Sequence, residues 1–132
     1  HATYTSPELA SVGLSEKTAT ERYRDNITIL KWPYAENDRA RATRATKGMV
    51  KVITTKKGLI LGASIVGKSA DEILAPWTLA ISQGLKISAM ANMISPYPTL
   101  GEINKRAASS FYTKSLFSDK TKRIVKFLSF LG

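Results

Sequence analysis

The chain has no cysteine, and its single histidine is His1. The lack of cysteine excludes disulfides, cysteine-ligated zinc and thiol nucleophiles within this chain. With no internal histidine, we expect neither a histidine-based metal site nor a catalytic triad, and we predict no metal ligands. No Gly-x-Gly sequence occurs, so the dinucleotide-binding fingerprint is missing. No apolar run approaches the roughly 20 residues needed to span a bilayer.

The positive charge of the chain is concentrated near its C-terminus. The formal net charge is +10 at pH 7. Residues 101–132 hold seven basic side chains against two acidic ones, whereas residues 1–48 hold eight against six. Such a basic end indicates nucleic acid, an acidic protein face or anionic lipid as a partner. An internal basic stretch is formed by Arg39, Arg41, Arg44 and Lys47. We interpret it as a solvated surface, because no aromatic side chains are interleaved with it.

Hydrophobic periodicity and turn signals predict an α+β fold, in which helices pack on one face of an antiparallel sheet. The predicted strands, of which the last two form a hairpin, cover residues 2–5, 27–32, 48–55 and 59–67. The predicted helices cover residues 16–23, 70–84, 87–94 and 99–113, with Ser15, Ser69 and Thr99 as N-caps. Residues 37–47 fit either a short helix or an exposed loop. Gly62 inside a strand predicts a bulge or a close backbone approach.

The last residues of the chain predict a basic amphipathic helix. Apolar side chains recur there at helical spacing, at Ile124, Phe127, Leu128 and Leu131, with basic side chains opposite. Residues 118–132 could therefore lie on an anionic membrane surface. They could equally pack on the domain or on its partner, which is the alternative that we favour because one short apolar stripe is enough for it.

The stretch from Ser95 to Glu102 contains the most informative residues. Pro96 and Pro98 each fix a backbone φ angle and push the residue before them into an extended conformation. Thr99 is predicted to cap the helix that follows, with Glu102 as the reciprocal acid of a capping box. The result is a stiff turn that presents Tyr97 beside a helix N-terminus. Such a turn serves either a structural or a chemical purpose.

Three segments, in order, look like motifs of one family. Residues 4–13 look like the Thr-x-Pro-Glu-x-x-x-Val-Gly entry of a dimerisation domain. Residues 62–73 look like its Gly-x-x-Ile-Val-Gly-x-x-Ala-x-Glu segment, and residues 96–102 look like its His-Pro-Thr-x-x-Glu turn. By these motifs the chain resembles the pyridine nucleotide–disulfide oxidoreductases, a family that includes dihydrolipoamide dehydrogenase, glutathione reductase and mercuric reductase. The resemblance covers about residues 2–112.

The resemblance implies that residues 1–113 form the C-terminal dimerisation domain of a longer, homodimeric enzyme, followed by the basic helix at 114–132. The parent would bind FAD and NAD(P) in upstream domains, and this chain alone would bind neither and be inactive. Dimerisation would bury apolar helix surface within residues 70–94 and the turn itself. The domain would thereby complete the redox active site of the partner subunit. We expect a cytoplasmic protein, with membrane association only through the tail.

The resemblance also assigns the residues of the turn. In the disulfide-reducing members a histidine before the proline is the acid–base for dithiol chemistry, and the glutamate five positions on holds it. Tyr97 stands at the histidine position and Glu102 at the glutamate position, and Pro98 would lie near the partner's flavin. A phenol has a reference pKa near 10 against about 6.5 for imidazole, so Tyr97 is a poor proton shuttle at neutral pH.

Mercuric reductases resemble the chain better at the turn, because they also carry a tyrosine after a proline there, although their C-terminal cysteine pair is absent here. The resemblance therefore extends to a mercuric-reductase-like reaction as one reading of the parent. The alternative reading is a non-enzymatic basic module that binds nucleic acid or an anionic membrane surface, although we consider nucleic acid the less favoured partner.

Overall fold

A computed structural model describes residues 2–3 and 8–116, and these form an antiparallel sheet with helices packed against it. The five strands of the described residues are β1 (Ala2–Thr3), β2 (Leu9–Gly13), β3 (Thr28–Pro33), β4 (Gly48–Thr54) and β5 (Ile60–Gly67). The helices are α1 (Glu16–Tyr23), α2 (Asp38–Ala42), α3 (Ala70–Ser82), α4 (Ile87–Ala91) and α5 (Glu102–Leu116), with a 3-10 turn at Tyr34–Glu36. The strand order is β1-β2-β5-β4-β3, and all neighbours are antiparallel. The predicted α+β fold is confirmed.

The main core lies between the sheet and the helices α3, α4 and α5. Helix α3 packs on β2 and β5, whereas α5 packs on β3 and β4. The largest fully buried apolar side chains of this core are Trp77, Tyr34, Leu30, Ile65, Ile87 and Ile103. On the other face of the sheet α1 covers a smaller cluster built around Ala19, Ile53 and Leu61. Neighbouring residues such as Ile60 and Leu61 enter different clusters because side chains alternate across a strand.

The predicted hairpin is confirmed, since β4 pairs with β5 from Gly48↔Gly67 to Thr54↔Ile60, with a register shift at Ile53/Thr54. Both readings of Gly62 are confirmed, because the register shift leaves Leu61, its neighbour, without a partner in β4, and the backbone of Leu14 approaches Gly62 closely. A Cβ atom on Gly62 would lie 2.0 Å from the carbonyl oxygen of Leu14. Only glycine fits there without moving backbone.

The predicted helix starts have mixed outcomes. Ser15 caps α1 as expected, because its Oγ accepts a hydrogen bond from the Thr18 amide at 3.2 Å. Ser69 was expected to cap α3 in the same way, and this is wrong. Its backbone is left-handed, with φ at 60°, and its side chain makes no capping bond. The amide of Ala70 instead donates to Glu8 Oε2 at 3.0 Å, so a remote carboxylate does the capping.

The helix predicted at 99–113 begins at Glu102 and runs past residue 113 to Leu116. Within residues 37–47, the short-helix reading is confirmed for α2, and the residues after Thr43 are not helical. Residues 4–7 of the first family-like segment and residues 117–132, which hold most of the predicted tail helix, lie outside the described residues. The tail helix and the domain boundary stay predictions.

Candidate functional site

The turn that joins α4 to α5 is held from within by a backbone-directed hydrogen bond. Thr99 Oγ1 donates to the carbonyl oxygen of Pro96 at 2.6 Å. The peptide bond between Tyr97 and Pro98 is cis, and both residues are exposed. Tyr97 is 64% exposed, which is unusual for a large aromatic side chain. The turn therefore projects Tyr97 into solvent from a fixed backbone.

A buried asparagine ties this turn to the start of α2. Asn37 is only 1% exposed, and its Oδ1 accepts from the Ala40 amide at 2.8 Å, which caps the helix. Its Nδ2 donates to the carbonyl oxygen of Thr99 at 3.1 Å. Both ends of the side-chain amide are thus used, as a buried polar group requires. Asn37 is a residue that the sequence reasoning missed, although an asparagine just before a helix is itself an N-cap signal.

Tyr97 contacts the first residue of α2. Its hydroxyl donates a hydrogen bond to Asp38 Oδ2. This hydrogen bond and the negative charge of Asp38 raise the pKa of the Tyr97 phenol above its usual value, and the charge of Glu102 adds to the effect. The phenol therefore keeps its proton at neutral pH. Asp38 was not singled out from the sequence, and no local pattern could have found it, because 59 positions separate the two residues.

Glu102 does not form the predicted capping box. Its Oε2 lies 3.2 Å from Nε of Arg106, one turn along α5, and its side chain is 13% exposed. Thr99 uses its hydroxyl on Pro96, so neither half of the box is made. No hydrogen bond joins Tyr97 to Glu102 among the described residues. Asp38 has taken the place at Tyr97 that the resemblance assigned to Glu102.

A groove of about 410 Å³ runs beside the turn. It is lined by residues of α3, of the segment after α4 and of the start of α5, among them Pro76, Met93, Ile94, Pro96, Leu100 and Asn104. Ile94 is 94% exposed, and Leu79, on the same side of α3 as Pro76, is 62% exposed. Ile94 therefore forms an exposed apolar rim of the groove, and Leu79 adds an exposed apolar side chain on the neighbouring helix.

The floor of the groove is fixed by a second buried asparagine. Asn104 is 1% exposed, and its Oδ1 accepts from Trp77 Nε1 at 2.7 Å. Its Nδ2 donates to the carbonyl oxygen of Ile73 at 2.8 Å. Because Trp77 and Ile73 both belong to α3, this one side chain fastens α5 to α3. It was not identified from the sequence, because nothing local distinguishes it from other helical asparagines.

Residues 62–69 have the spacing of a phosphate-binding P-loop, Gly-x4-Gly-Lys-Ser. The structure does not support that function. The intervening residues form the extended strand β5, which pairs with β2 and β4 on its two sides. The first amide of α3, which would face a phosphate, is already bound by the carboxylate of Glu8. A strand cannot curl its amides around an anion as a loop does.

Other binding chemistry is sparse in the part of the chain that the structure describes. There, no group of three or more acidic or histidine side chains is placed to hold a metal ion, and no helix combines the length and apolar character needed to cross a membrane. The basic side chains of Arg39, Arg41 and Arg44 are exposed at α2 and just after it. This exposure agrees with the solvated surface predicted for them, and a salt-dependent DNA shift would test the alternative of a nucleic-acid surface.

Comparison with known proteins places residues 1–108 in the dimerisation domain of the pyridine nucleotide-disulphide oxidoreductases. The dihydrolipoyl dehydrogenase of Bacillus subtilis (strain 168) is 43% identical over 106 residues, which are 80% of this chain and 22% of that protein. That of Thermus scotoductus (strain ATCC 700910 / SA-01) is 34% identical over 114 residues, which are 86% of this chain and 24% of that protein. The chain thus spans less than a quarter of the length of these two relatives.

Solved structures agree with the sequence relatives. The Cu(II) complex of the HOCl-induced flavoprotein disulfide reductase RclA from Escherichia coli matches with a TM-score of 0.77 and 28% identity, over 83% of this chain and 25% of that one. LpdA from Mycobacterium tuberculosis matches with a TM-score of 0.75 and 23% identity, over 83% and 24% of the two chains. At 23% identity, the match to LpdA supports a similar fold and nothing further.

Proposed function

The chain belongs to the pyridine nucleotide-disulphide oxidoreductases, as their dimerisation domain. From this premise we propose that the domain joins two subunits and brings Tyr97 to the redox site of the partner subunit. The observation that carries the proposal is the exposure of Tyr97 on a turn that Asn37 ties to α2 and that an internal hydrogen bond holds. With 64% of its surface exposed, Tyr97 is available for contact with a second subunit.

The surface proposed to meet the second subunit is the groove together with its apolar rim. Ile94 and Leu79 are the two most exposed aliphatic side chains of the described residues. Fully covering one such side chain contributes about 1.5–3 kcal/mol. Since the groove borders the turn, a subunit seated on it also receives Tyr97. A two-fold dimer repeats the contact and completes two sites at once.

The dimer is tested by sedimentation of the chain at micromolar concentration. Ile94→Lys is expected to shift the protein towards monomer, because it places a charge in the apolar contact. The side chain is 94% exposed within one subunit, so the fold itself should not suffer. Met49→Lys, at another exposed apolar position on the sheet, is the control and should leave the dimer intact. A dimer that tolerates Ile94→Lys as well as Met49→Lys would show that this surface is not the interface.

The chemistry proposed for Tyr97 is to hold and orient the reacting group. Its phenol keeps its proton, because the hydrogen bond and charge of Asp38 raise its pKa. Acid–base catalysis needs a group whose pKa lies near the working pH, which a histidine offers and this tyrosine does not. Tyr97 therefore contributes position rather than proton transfer, and a substrate held in the wrong position reacts roughly 100-fold more slowly.

The residues of this chain do not fit a dinucleotide site of their own, since they include no Gly-x-Gly sequence. FAD and NAD(P), which supply the electron transfer in the family, belong to other domains of the proposed parent. At most, Pro98 and Tyr97 border the partner's flavin.

The function is tested in the flavin-containing parent. Tyr97→Phe is expected to lower kcat/KM by roughly 10- to 100-fold while flavin content and sedimentation stay unchanged. Tyr112→Phe removes a hydroxyl from another exposed tyrosine and is the matched control. Assays with a dithiol–disulfide pair and with Hg(II) separate the dihydrolipoyl dehydrogenase-like and mercuric-reductase-like alternatives. Equal rates for Tyr97→Phe and Tyr112→Phe with both substrates would refute the role of Tyr97.

A further inference from the structure

The contact between Tyr97 and Asp38 is the part of the site that the family-like motifs leave unexplained. Tyr97 has one proton, and its hydroxyl donates that proton to Asp38 Oδ2. The oxygen of the phenol can then only accept a hydrogen bond from anything that approaches it. A tyrosine without this partner could point its proton at the approaching group instead.

The backbone around Asp38 is well fixed. Asp38 follows the buried Asn37, whose side chain holds both the α2 amide of Ala40 and the Thr99 carbonyl. The same asparagine thus sets the spacing between α2 and the turn. The other charged groups that act on Tyr97 are Glu102 and Arg106 on α5, and these two are paired with each other. Asp38 is consequently the carboxylate that determines where the phenol proton lies.

We infer that Asp38 is a positioning residue for Tyr97, which fixes the phenol ring and makes its oxygen a hydrogen-bond acceptor at the partner's redox site. This inference rests on the proposed function of Tyr97. It adds to that function the kind of hydrogen bond that Tyr97 offers at the partner's redox site.

An acceptor oxygen backed by a carboxylate favours groups that carry a proton or a positive charge. A thiol S–H group and a metal cation both meet this requirement, whereas an anionic thiolate or carboxylate is repelled. The geometry therefore selects the protonated thiol form of a dithiol, or a cation, as the species that Tyr97 contacts. A disulfide has no proton to donate and gains nothing from this oxygen.

The pair itself is tested in the chain without any assay of activity. The phenol carbons are labelled with ¹³C, and the Tyr97 resonance is assigned by its loss in Tyr97→Phe. The Tyr97 resonance should titrate above the reference value of about 10, and Asp38→Asn should shift its titration to lower pH. Asp25→Asn, which removes another exposed carboxylate, should leave the titration unchanged. A Tyr97 titration that Asp38→Asn does not move overturns the inference.

The consequence for the reaction is tested in the flavin-containing parent. Asp38→Asn should lower kcat by about tenfold, move the alkaline limb of the pH profile to lower pH, and add no further loss to Tyr97→Phe. A loss that adds fully to that of Tyr97→Phe indicates a separate structural role for Asp38 and overturns the inference.

If Tyr97→Phe alone has no effect, the proposed function fails, whereas the titration still decides whether Asp38 positions the phenol. If Tyr97→Phe impairs the enzyme and Asp38→Asn changes neither rate nor titration, the function stands and the inference falls.

Discussion

Replacing Asn104 with alanine tests whether one buried side chain fastens α5, and with it the turn, to α3. The substitution removes the acceptor of Trp77 Nε1, at 2.7 Å, and the donor to the Ile73 carbonyl, at 2.8 Å. The Ile73 carbonyl faces the Trp77 amide one helical turn along, so it keeps a partner in α3. The Trp77 indole, which belongs to a fully buried side chain, does not.

The size of the effect follows from these two losses. A net hydrogen bond contributes about 1 kcal/mol, and a buried donor left without a partner costs about 1–3 kcal/mol. We therefore expect Asn104→Ala to lower the free energy of unfolding by about 3 kcal/mol. Asn104→Asp keeps an acceptor for Trp77 but turns a carboxylate oxygen towards the Ile73 carbonyl. It should cost at least as much, because it buries a charge beside a like-polarised oxygen.

Urea unfolding, followed by circular dichroism and tryptophan fluorescence, measures both variants at one fixed protein concentration. Asn92→Ala, at an exposed asparagine after α4, is the control and should stay within about 0.5 kcal/mol of the parent. The slope of free energy against urea should not change, since the fold is the same. A loss below about 1 kcal/mol for Asn104→Ala, at unchanged slope, would refute the reasoning.

Three further predictions concern stability. Gly67→Ala should cost about 2–4 kcal/mol in urea unfolding, because its φ is +147° and its Cβ would lie 2.5 Å from the Tyr34 ring. Gly84→Ala, at φ +63° in open space, should cost only about 1–2 kcal/mol, and equal losses would contradict this account. Burial raises the pKa of Tyr34, so the unfolded chain loses that proton first. The stability that Tyr34 contributes should be constant below about pH 10 and fall above it, and Tyr34→Phe should flatten the fall in urea unfolding. Lys51 lowers the pKa of Glu16, so the stability that this ion pair contributes is present above about pH 4.5 and lost as pH falls. Glu16→Gln should weaken the dependence of stability on acid pH, and an unchanged midpoint of acid unfolding would count against the pair.

The elements that the sequence predicts correctly are those specified by neighbouring residues. The hairpin of β4 and β5 follows from two apolar runs around Gly58, and α1 follows from Ser15 before a short amphipathic segment. In both, the interactions nearest the turn or cap join residues close in sequence: Thr54 pairs with Ile60, and Ser15 caps the amide of Thr18. Hydrophobic patterning and capping preferences describe such local choices well.

The two helix caps that the sequence predicts wrongly show why other features of the site could not be predicted. Ser69 has the right residue type for an N-cap, but its left-handed backbone points the side chain away, and Glu8 supplies the oxygen from 62 positions away. Thr99 and Glu102 have the spacing of a capping box, but the hydroxyl binds Pro96 and the carboxylate binds Arg106. A local sequence pattern indicates which hydrogen bonds a side chain is able to make, but the residues that surround it in the folded domain determine which of these bonds forms.

The same reasoning explains how a tyrosine functions on a turn that resembles one built for histidine. Glu102 keeps its position but pairs with Arg106, and its charge acts on the Tyr97 phenol less than the hydrogen bond and charge of Asp38 do. The hydrogen bond of Tyr97 is made with Asp38, and the neighbouring buried Asn37 links the start of α2 to the turn. The hydrogen bond of residue 97 is therefore made with α2, far away in the sequence. It follows that in a Tyr97→His variant Asp38, rather than Glu102, should hold the imidazole. Adding Asp38→Asn should then lower the pKa of that imidazole in an NMR titration, and an unchanged pKa would contradict this account.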